Sequence, residues 1–115
     1  MEKIKKEKRA EDLKSRALGL ADIVKFQDGA VVSREIIGKK AGTVTVFSFD
    51  AGQGLSEHAA PFDALVIAIE GDADITISAK THRLNKGQFI IMPAGEPHAL
   101  KALTPFKMLL VMIRS

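Results

Sequence analysis

The sequence predicts an all-β sandwich or barrel preceded by a short helix, and three features of the chain carry this prediction. Seven segments rich in Val, Ile, Phe and Thr follow one another from residue 31 onwards. Turn-forming residues separate them at short, regular intervals. At 115 residues the chain is long enough for one hydrophobic core. The predicted strands are Val31–Ile37, Thr43–Phe49, Leu65–Ile69, Asp74–Ser78, Phe89–Met92, His98–Leu103 and Phe106–Ile113.

The first 25 residues differ in character and form a predicted N-terminal segment ahead of one domain over residues 26–115. Residues 1–12 are almost all charged, and we expect them to fray. Between Leu13 and Lys25 apolar residues recur every three or four positions. This spacing predicts a short amphipathic helix, although Gly19 weakens it.

The composition excludes several classes of protein. The chain has no Cys and therefore no disulfide, thiolate metal site or Cys nucleophile. No apolar run approaches the roughly 18 residues of a transmembrane helix. The charged N-terminus lacks the apolar core of a signal peptide. We therefore expect a cytoplasmic protein that makes no membrane contact.

The net charge of +3 is unevenly distributed along the chain. Residues 1–16 hold seven of the 17 basic residues and four of the 14 acidic ones, so the whole excess lies there. The interleaved acidic residues dilute this basic segment, and we do not expect nucleic acid as a partner. A regulatory or scaffolding module whose basic segment reaches a polyanion is kept as an alternative.

Two predicted strands, residues 63–69 and 106–113, are apolar on both faces. A barrel interior buries only one face of a strand, and the predicted helix covers part of the other. A second copy of the chain is the simplest cover for what remains. The sequence therefore predicts a homodimer.

Two glycine-punctuated blocks each place one histidine beside a predicted strand, at residues 52–64 and 87–98. They resemble the two motifs of the cupin superfamily of small β-barrels, G-x5-H-x-H-x3-E-x6-G and G-x5-P-x-G-x2-H-x3-N. The resemblance extends from about residue 30 to about residue 113 and implies a double-stranded β-helix, or jelly-roll barrel. The matching residues are Gly52, His58 and Gly71 in the first motif, and Gly87, Pro93, Gly95 and His98 in the second.

The resemblance breaks down at the metal ligands. In cupins two His and one Glu of the first motif, with one His of the second, usually hold a divalent metal. Here Ala60 replaces the second His and Ala64 replaces the Glu. Only His58 and His98 remain, whereas a mononuclear site normally takes three or four protein ligands. The polar residues nearby, none at a motif position, are Gln53, Glu57, Asp63 and Glu96.

Two alanines in place of larger ligands predict an enlarged, mostly apolar pocket, which is typical of a small-molecule site. Desolvation favours neutral imidazoles, which could bind a ligand carbonyl or hydroxyl or shuttle a proton. A purely structural role, in which both histidines cap the barrel mouth, stays open. The predicted ligand-binding residues are His58, Ala60, Ala64, Val66, Met92, His98 and Leu100.

The function predicted from these residues is the binding of a small molecule of unidentified class, next to an incomplete metal site. The alternative is a divalent-metal-dependent enzyme of the dioxygenase, isomerase or decarboxylase type. In that case nickel, zinc, iron or manganese would be held by His58 and His98 with help from water or a substrate oxygen. The sequence does not decide whether the chain is an enzyme, and it assigns no catalytic residue. His82 lies in a charged hairpin and is expected to be solvated.

Overall fold

The computed structural model describes residues 3–8 and 13–114, which form ten β-strands and a 3-10 turn over Leu20–Asp22. The expectation that residues 1–12 fray falls partly on residues 1, 2 and 9–12, which lie outside the described residues. In chain order the strands are β1 (Ile4–Glu7), β2 (Val31–Lys39), β3 (Gly42–Phe49), β4 (Gly54–His58), β5 (Ala64–Glu70), β6 (Asp72–Ile77), β7 (Lys80–Asn85), β8 (Phe89–Met92), β9 (His98–Ala102) and β10 (Phe106–Ile113).

The strands form two sheets that enclose the main hydrophobic core. The larger sheet has the order β1-β2-β3-β10-β5-β8 and the smaller has the order β4-β9-β6-β7. Strands β1 and β2 are parallel, and the other pairs are antiparallel. Aromatic side chains fill one end of the core, where the Phe49 ring centroid lies 5.9 Å from those of Phe47 and Phe106.

The all-β prediction is confirmed, but the two sheets do not close into a continuous barrel. Among residues 3–8 and 13–114, no hydrogen-bonded strand pair joins the two sheets. After β8 the chain reaches Pro93, which has no N–H with which to continue a ladder. The loop that follows instead meets the β4–β5 loop through two hydrogen bonds. These run from Gly95 N–H to Ala60 O (2.8 Å) and from Ala94 N–H to Asp63 Oδ1 (2.8 Å).

The predicted N-terminal helix is also wrong. Over residues 13–25 the structure has short turns and extended chain, with the 3-10 turn at Leu20–Asp22. A helix would require the carbonyl oxygens of this segment to accept bonds from amides four residues on. Three of them instead accept bonds from side chains of the larger sheet. The bonds are Lys107 Nζ to Ala21 O (2.6 Å), an Arg34 guanidinium N–H to Ile23 O (3.0 Å) and Ser48 Oγ to Lys25 O (3.0 Å).

Three strands were missed by the sequence prediction, namely β1, β4 and β7. All three lie at sheet edges and expose most of their side chains, so they lack the apolar run of a buried strand. In β1 only Ile4 is partly buried, and it packs against the main core opposite Val31. In β7 only Leu84 is fully buried. Strand β1 therefore incorporates part of the charged N-terminal segment into the larger sheet.

The outer face of the larger sheet is only partly covered. Val24 of the N-terminal segment and Ala30, just before β2, form a buried cluster with Val32 and Val46. At the other end of the same sheet, strands β8 and β10 leave large apolar side chains in solvent. These exposed side chains are Phe89 (64%), Ile91 (53%) and Ile113 (61%).

No helix among the described residues has the length and apolarity that crossing a bilayer requires.

Candidate functional site

His58 and His98 face each other at one end of the smaller sheet. His58 is the last residue of β4 and His98 is the first residue of β9, and the two are paired across these antiparallel strands. Their ring centroids lie 4.4 Å apart with an angle of 72° between the rings. The shortest approach joins the two Nε2 atoms, at 3.2 Å. The structure thus brings together the two histidines that the motifs identified.

The backbone orients both rings through their other nitrogen. His58 Nδ1 lies 2.8 Å from Ser56 O, and His98 Nδ1 lies 3.2 Å from Glu96 O. A carbonyl oxygen can only accept a hydrogen bond, so each Nδ1 must carry a proton. In a neutral imidazole this leaves Nε2 without a proton. The two Nε2 atoms lie at hydrogen-bonding distance, so one proton shared between them, or a donor group supplied by a ligand, would satisfy both.

His98 is the more buried member of the pair, with 6% of its surface exposed, whereas His58 is exposed. Burial lowers the pKa of His98 below its usual value of 6.5, and the nearby His58 lowers it further. The hydrogen bond to Glu96 O acts in the opposite direction. Near neutral pH the buried ring is therefore an uncharged base, and its exposed partner is accessible from solvent.

The pocket behind the pair is small and almost entirely apolar. Its volume is about 50 Å³, which is well below the size of a typical small-molecule cavity. The expectation of an enlarged cavity is therefore wrong. Methionine side chains occupy the space that was predicted to be free. The lining residues are Leu55, His58, Val66, Met92, His98, Ala99, Leu100, Met108, Leu110 and Met112.

Ala60 and Ala64, the other two predicted ligand-binding residues, do not line this pocket. Ala60 lies in the loop after β4, where its carbonyl accepts the bond from Gly95. Ala64 begins β5 and is only 1% exposed. Its neighbours across the sheet are Met92 on one side and Met112 on the other. The long methionine side chains thus surround the alanine and explain the small cavity.

The acidic residues near the pair do not complete a metal site. The Asp63 carboxylate accepts a bond from Ala94 N–H (2.8 Å), and the Glu96 carboxylate accepts one from Ser78 Oγ (2.8 Å). Glu57 is exposed, and Gln53 lies in the turn before β4. Within the described part of the chain, no three His, Asp or Glu side chains are grouped as metal ligands. A divalent ion that needs three or four such ligands does not fit this donor set.

His82 is separate from the site. It lies on β7 opposite Ile75, is partly buried, and does not line the pocket. The expectation of a solvated side chain is therefore met only in part. Its position makes it a useful internal control, because the three histidines then comprise one facing pair and one isolated ring.

Comparison with known proteins identifies the family. A model of the cupin domain matches residues 45–113, which is more than half of the chain and contains both histidines. The chain belongs to the cupin family. The resemblance of the two motifs is thereby confirmed, and the departures at Ala60 and Ala64 are departures within a true cupin.

Solved structures agree with this assignment. A conserved protein of unknown function from Streptococcus pyogenes is 40% identical, with a TM-score of 0.84, and the match covers 88% of this cupin and 89% of that chain. A cupin superfamily protein from Desulfitobacterium hafniense is 26% identical with the same TM-score, covering 89% of this chain and 94% of that one. A comparison with curated proteins gives no match.

A more distant similarity concerns an enzyme. Salicylate 1,2-dioxygenase from Pseudaminobacter salicylatoxidans is 16% identical, with a TM-score of 0.68. The match covers 72% of this cupin but only 26% of that chain. At this level of identity the comparison shows a shared fold, and a shared fold does not carry an activity.

Sequence reasoning missed part of the pocket. Leu55 lies on β4, a strand too polar to be recognised. Ala99 and Leu110 lie on strands that were predicted, but nothing in the sequence showed which of their residues would meet the histidines. Met108 and Met112 also line the pocket. The pocket residues of β10 could not be predicted because they depend on how β10 is aligned with β5, and no local sequence pattern determines this register.

Proposed function

We propose that this cupin binds a small ligand through the paired Nε2 atoms of His58 and His98. The observation that supports the proposal is the convergence of two nitrogen atoms 3.2 Å apart at an apolar pocket. Both rings are held by backbone carbonyls, so their Nε2 atoms need no reorganisation to receive a ligand. The exposed edge of His58 leaves a route from solvent to this pair of nitrogens.

The size of the pocket limits the part of a ligand that enters it. A volume of about 50 Å³ holds a single polar head group, such as a hydroxyl that donates to a histidine nitrogen. The remainder of the ligand would lie beside the exposed His58, at the rim. Methionine side chains have three rotatable bonds and repack readily, so a somewhat larger head group could displace them.

The divalent-metal enzyme is the weaker alternative. The two unprotonated Nε2 atoms favour it, because imidazole is a common metal ligand. The lack of a third histidine or a carboxylate at the pair opposes it, since both rings together offer no negative charge. The dioxygenase activity of a 16% identical protein does not alter this balance.

The proposal can be tested by NMR with protein whose histidines are labelled with nitrogen-15. The probes are a panel of small alcohols, titrated against the intact chain, with ketones of the same size as probes that cannot donate a hydrogen bond. We expect the ring signals of His58 and His98 to shift with the same saturation curve, while those of His82 stay in place. The shift of the pair reports ligand at the two facing nitrogens.

Two variants make this test decisive. His98→Gln should abolish binding of any probe that shifts the pair, because one of the two Nε2 atoms is lost. His82→Gln changes the isolated histidine and should bind the same probe with unchanged affinity. Equal affinity of the His98→Gln variant and the wild type would refute the proposal.

A further inference from the structure

A second concave site lies on the outer face of the larger sheet, between the N-terminal segment and β2. We call it the outer groove. Its volume is about 300 Å³, which falls in the range of small-molecule sites and is several times that of the histidine pocket. Among the described residues, the groove and the pocket have no lining residue in common. The groove is lined by Leu13, Lys14, Arg16, Leu18, Leu20, Ile23, Ile36 and Ile37.

A β-bulge in β2 forms the floor of the outer groove. The pairing of β2 with β3 shifts by one residue between Glu35 and Ile37, so Ile36 is the extra residue of the bulge. In a regular strand, Ile36 and Ile37 would point to opposite faces of the sheet. Here both line the groove, as is expected where a bulge redirects a side chain. The irregularity of β2 therefore builds an apolar floor from two consecutive isoleucines.

The N-terminal segment forms the opposite wall of the outer groove, and the larger sheet holds this wall in place. The backbone oxygen of Ile23 accepts a hydrogen bond from the Arg34 guanidinium (3.0 Å). Leu18 and Leu20 precede this anchor and are 41% and 38% exposed, and Ile37 across the groove is 51% exposed. Three large apolar side chains thus stay partly exposed around one concavity. Apolar exposure that is gathered in this way is typical of a binding groove.

The basic side chains of Lys14 and Arg16 line the outer groove together with the apolar ones. Arg34 adds a positive charge beneath the segment, and its buried Nε has no hydrogen-bond partner within the described part of the chain. No acidic side chain of the described residues lines the groove, although Asp22 and Glu35 adjoin lining residues in the sequence. An apolar floor with basic residues in its wall is complementary to a ligand with an apolar tail and an anionic head group.

The dimensions of the outer groove favour a small occupant. A heavy atom with its hydrogens takes up about as much space as a water molecule, roughly 30 Å³, so the groove accommodates on the order of ten heavy atoms. A stable interface between two proteins uses about 20–30 residues on each side. Eight described residues line this groove. A free small amphiphile therefore fits the groove better than a second copy of the chain does.

We propose that the outer groove binds a free amphiphile that has one anionic head group and an apolar tail, with about ten heavy atoms in all. The tail lies against Ile36 and Ile37, and the head group lies beside Lys14 and Arg16. This site is independent of the proposed function, because it includes neither of the two facing histidines.

The first test is an NMR titration of the intact chain, labelled with carbon-13 in its isoleucine methyl groups, with octanoate as the probe. We expect the methyl signals of Ile23, Ile36 and Ile37 to shift along one saturation curve, while those of Ile91 and Ile113 stay in place. Hexanoate, whose tail is two methylene groups shorter, should bind about tenfold more weakly. Shifts confined to Ile91 and Ile113 would overturn the inference.

Probes of different charge test the head group. Methyl octanoate keeps the tail but has no charge, and it should bind about threefold more weakly than octanoate. Octylammonium carries the opposite charge and should bind more weakly still. Lys14→Gln should reduce the preference for octanoate over the ester, whereas Lys101→Gln, at an exposed position on β9, should leave it unchanged. A wild type that prefers octylammonium to octanoate contradicts the inference.

Two exposed isoleucines provide a matched pair of variants. Ile37→Glu places a negative charge in the outer groove and should weaken the binding of octanoate at least about tenfold. Ile91→Glu makes the same change at an equally exposed residue on β8 and should bind octanoate as the wild type does. If Ile37→Glu and the wild type have equal affinities, the inference is wrong.

The variant His98→Gln separates this inference from the proposed function. It should bind octanoate with wild-type affinity even though it loses the ligand of the histidine pair. Loss of octanoate binding in His98→Gln would assign the probe to the histidine pocket and refute the inference.

Other occupants of the outer groove would give different results. If Ile37→Glu lowers the mass of the assembly in light scattering, the groove is an interface between copies and the inference fails. Vesicles of phosphatidylglycerol test a membrane surface. The inference also fails if the wild type sediments with these vesicles, Ile37→Glu does not, and octanoate causes no shift.

Discussion

At the scale of single residues, the chemistry of this cupin depends on which imidazole nitrogens carry protons. The two backbone carbonyls place a proton on Nδ1 of His58 and His98 and leave both Nε2 atoms as acceptors. When both rings are neutral, the two facing acceptors are satisfied only by a proton or a donor group between them. A proton or a ligand hydroxyl would relieve this situation.

The lowered pKa of His98 predicts how the stability of the metal-free protein depends on pH. Below about pH 6.5 the unfolded chain binds a proton at His98 more readily than the folded chain does. Above this pH, His98 is uncharged in both states and does not change the free energy of unfolding. As the pH falls further, through the lowered pKa of the folded state, the free energy of unfolding decreases. Urea denaturation between about pH 5 and pH 7.5 measures this dependence.

The variants His98→Gln and His82→Gln separate this effect from other titrations. His98→Gln should show a shallower loss of stability on acidification than the wild type. His82→Gln is the control, because it replaces a histidine and leaves the facing pair unchanged. If the wild type and His98→Gln give parallel curves, His98 is not a source of acid sensitivity.

Sequence reasoning succeeded at the histidines because glycine and proline spacing fixes where strands end. Gly87, Pro93 and Gly95 mark the turns that place His98 at the start of β9. Sequence reasoning predicted the wrong cavity size, because Met92 and Met112 on the two neighbouring strands lie beside Ala64 and leave little free volume there. Pairing across strands is a tertiary property, and apolar residues alone do not encode it.

At the scale of elements, the segment before β2 shows how tertiary contacts override helical periodicity. Its apolar spacing favours a helix, yet side chains of the larger sheet donate hydrogen bonds to three of its carbonyl oxygens. Lys107 makes the most notable of these contacts. Its ammonium donates to Ala21 O and lies 4.6 Å from the centroid of the Phe26 ring. With 8% of its surface exposed, it fixes the segment against the sheet.

Replacing Lys107 by methionine should therefore release this segment. We expect Lys107→Met to lower the free energy of unfolding by about 2 kcal/mol, through loss of a charge-assisted hydrogen bond and a cation–π contact. Amide hydrogen exchange over residues 19–26 should accelerate. The exposed Lys101 offers the control, and Lys101→Met should change stability by less than about 0.5 kcal/mol. Unchanged exchange in Lys107→Met would contradict this role.

At the scale of the whole molecule, an uncovered apolar surface remains on the larger sheet. The N-terminal segment covers Val32 and Val46 but does not reach strand β8 or the end of β10. We propose that a second copy of the chain covers this surface, as expected from the two-sided apolar strands. In a two-fold symmetric dimer one such patch would meet its own copy.

Light scattering coupled to gel filtration tests the homodimer. The wild type should have twice the mass of one chain, and Ile91→Glu should convert it to a monomer by placing a charge in the interface. The control is Ile37→Glu, which alters an equally exposed isoleucine on β2, outside the proposed surface. A monomeric wild type, or dissociation by both variants alike, would rule out this interface.

Because β1 pairs in parallel with β2, the charged N-terminal strand covers the backbone edge of β2 in the larger sheet. Ile4 to Glu7 occupy the hydrogen-bonding row of Val31 to Arg34. Removing them would leave a bare strand edge beside core valines, and such edges invite intermolecular strand addition. Deleting the N-terminal residues would therefore be a poor test of polyanion binding, because the shortened chain would expose a strand edge and tend to aggregate. Neutralising the lysines by glutamine while keeping the strand would separate charge from edge protection.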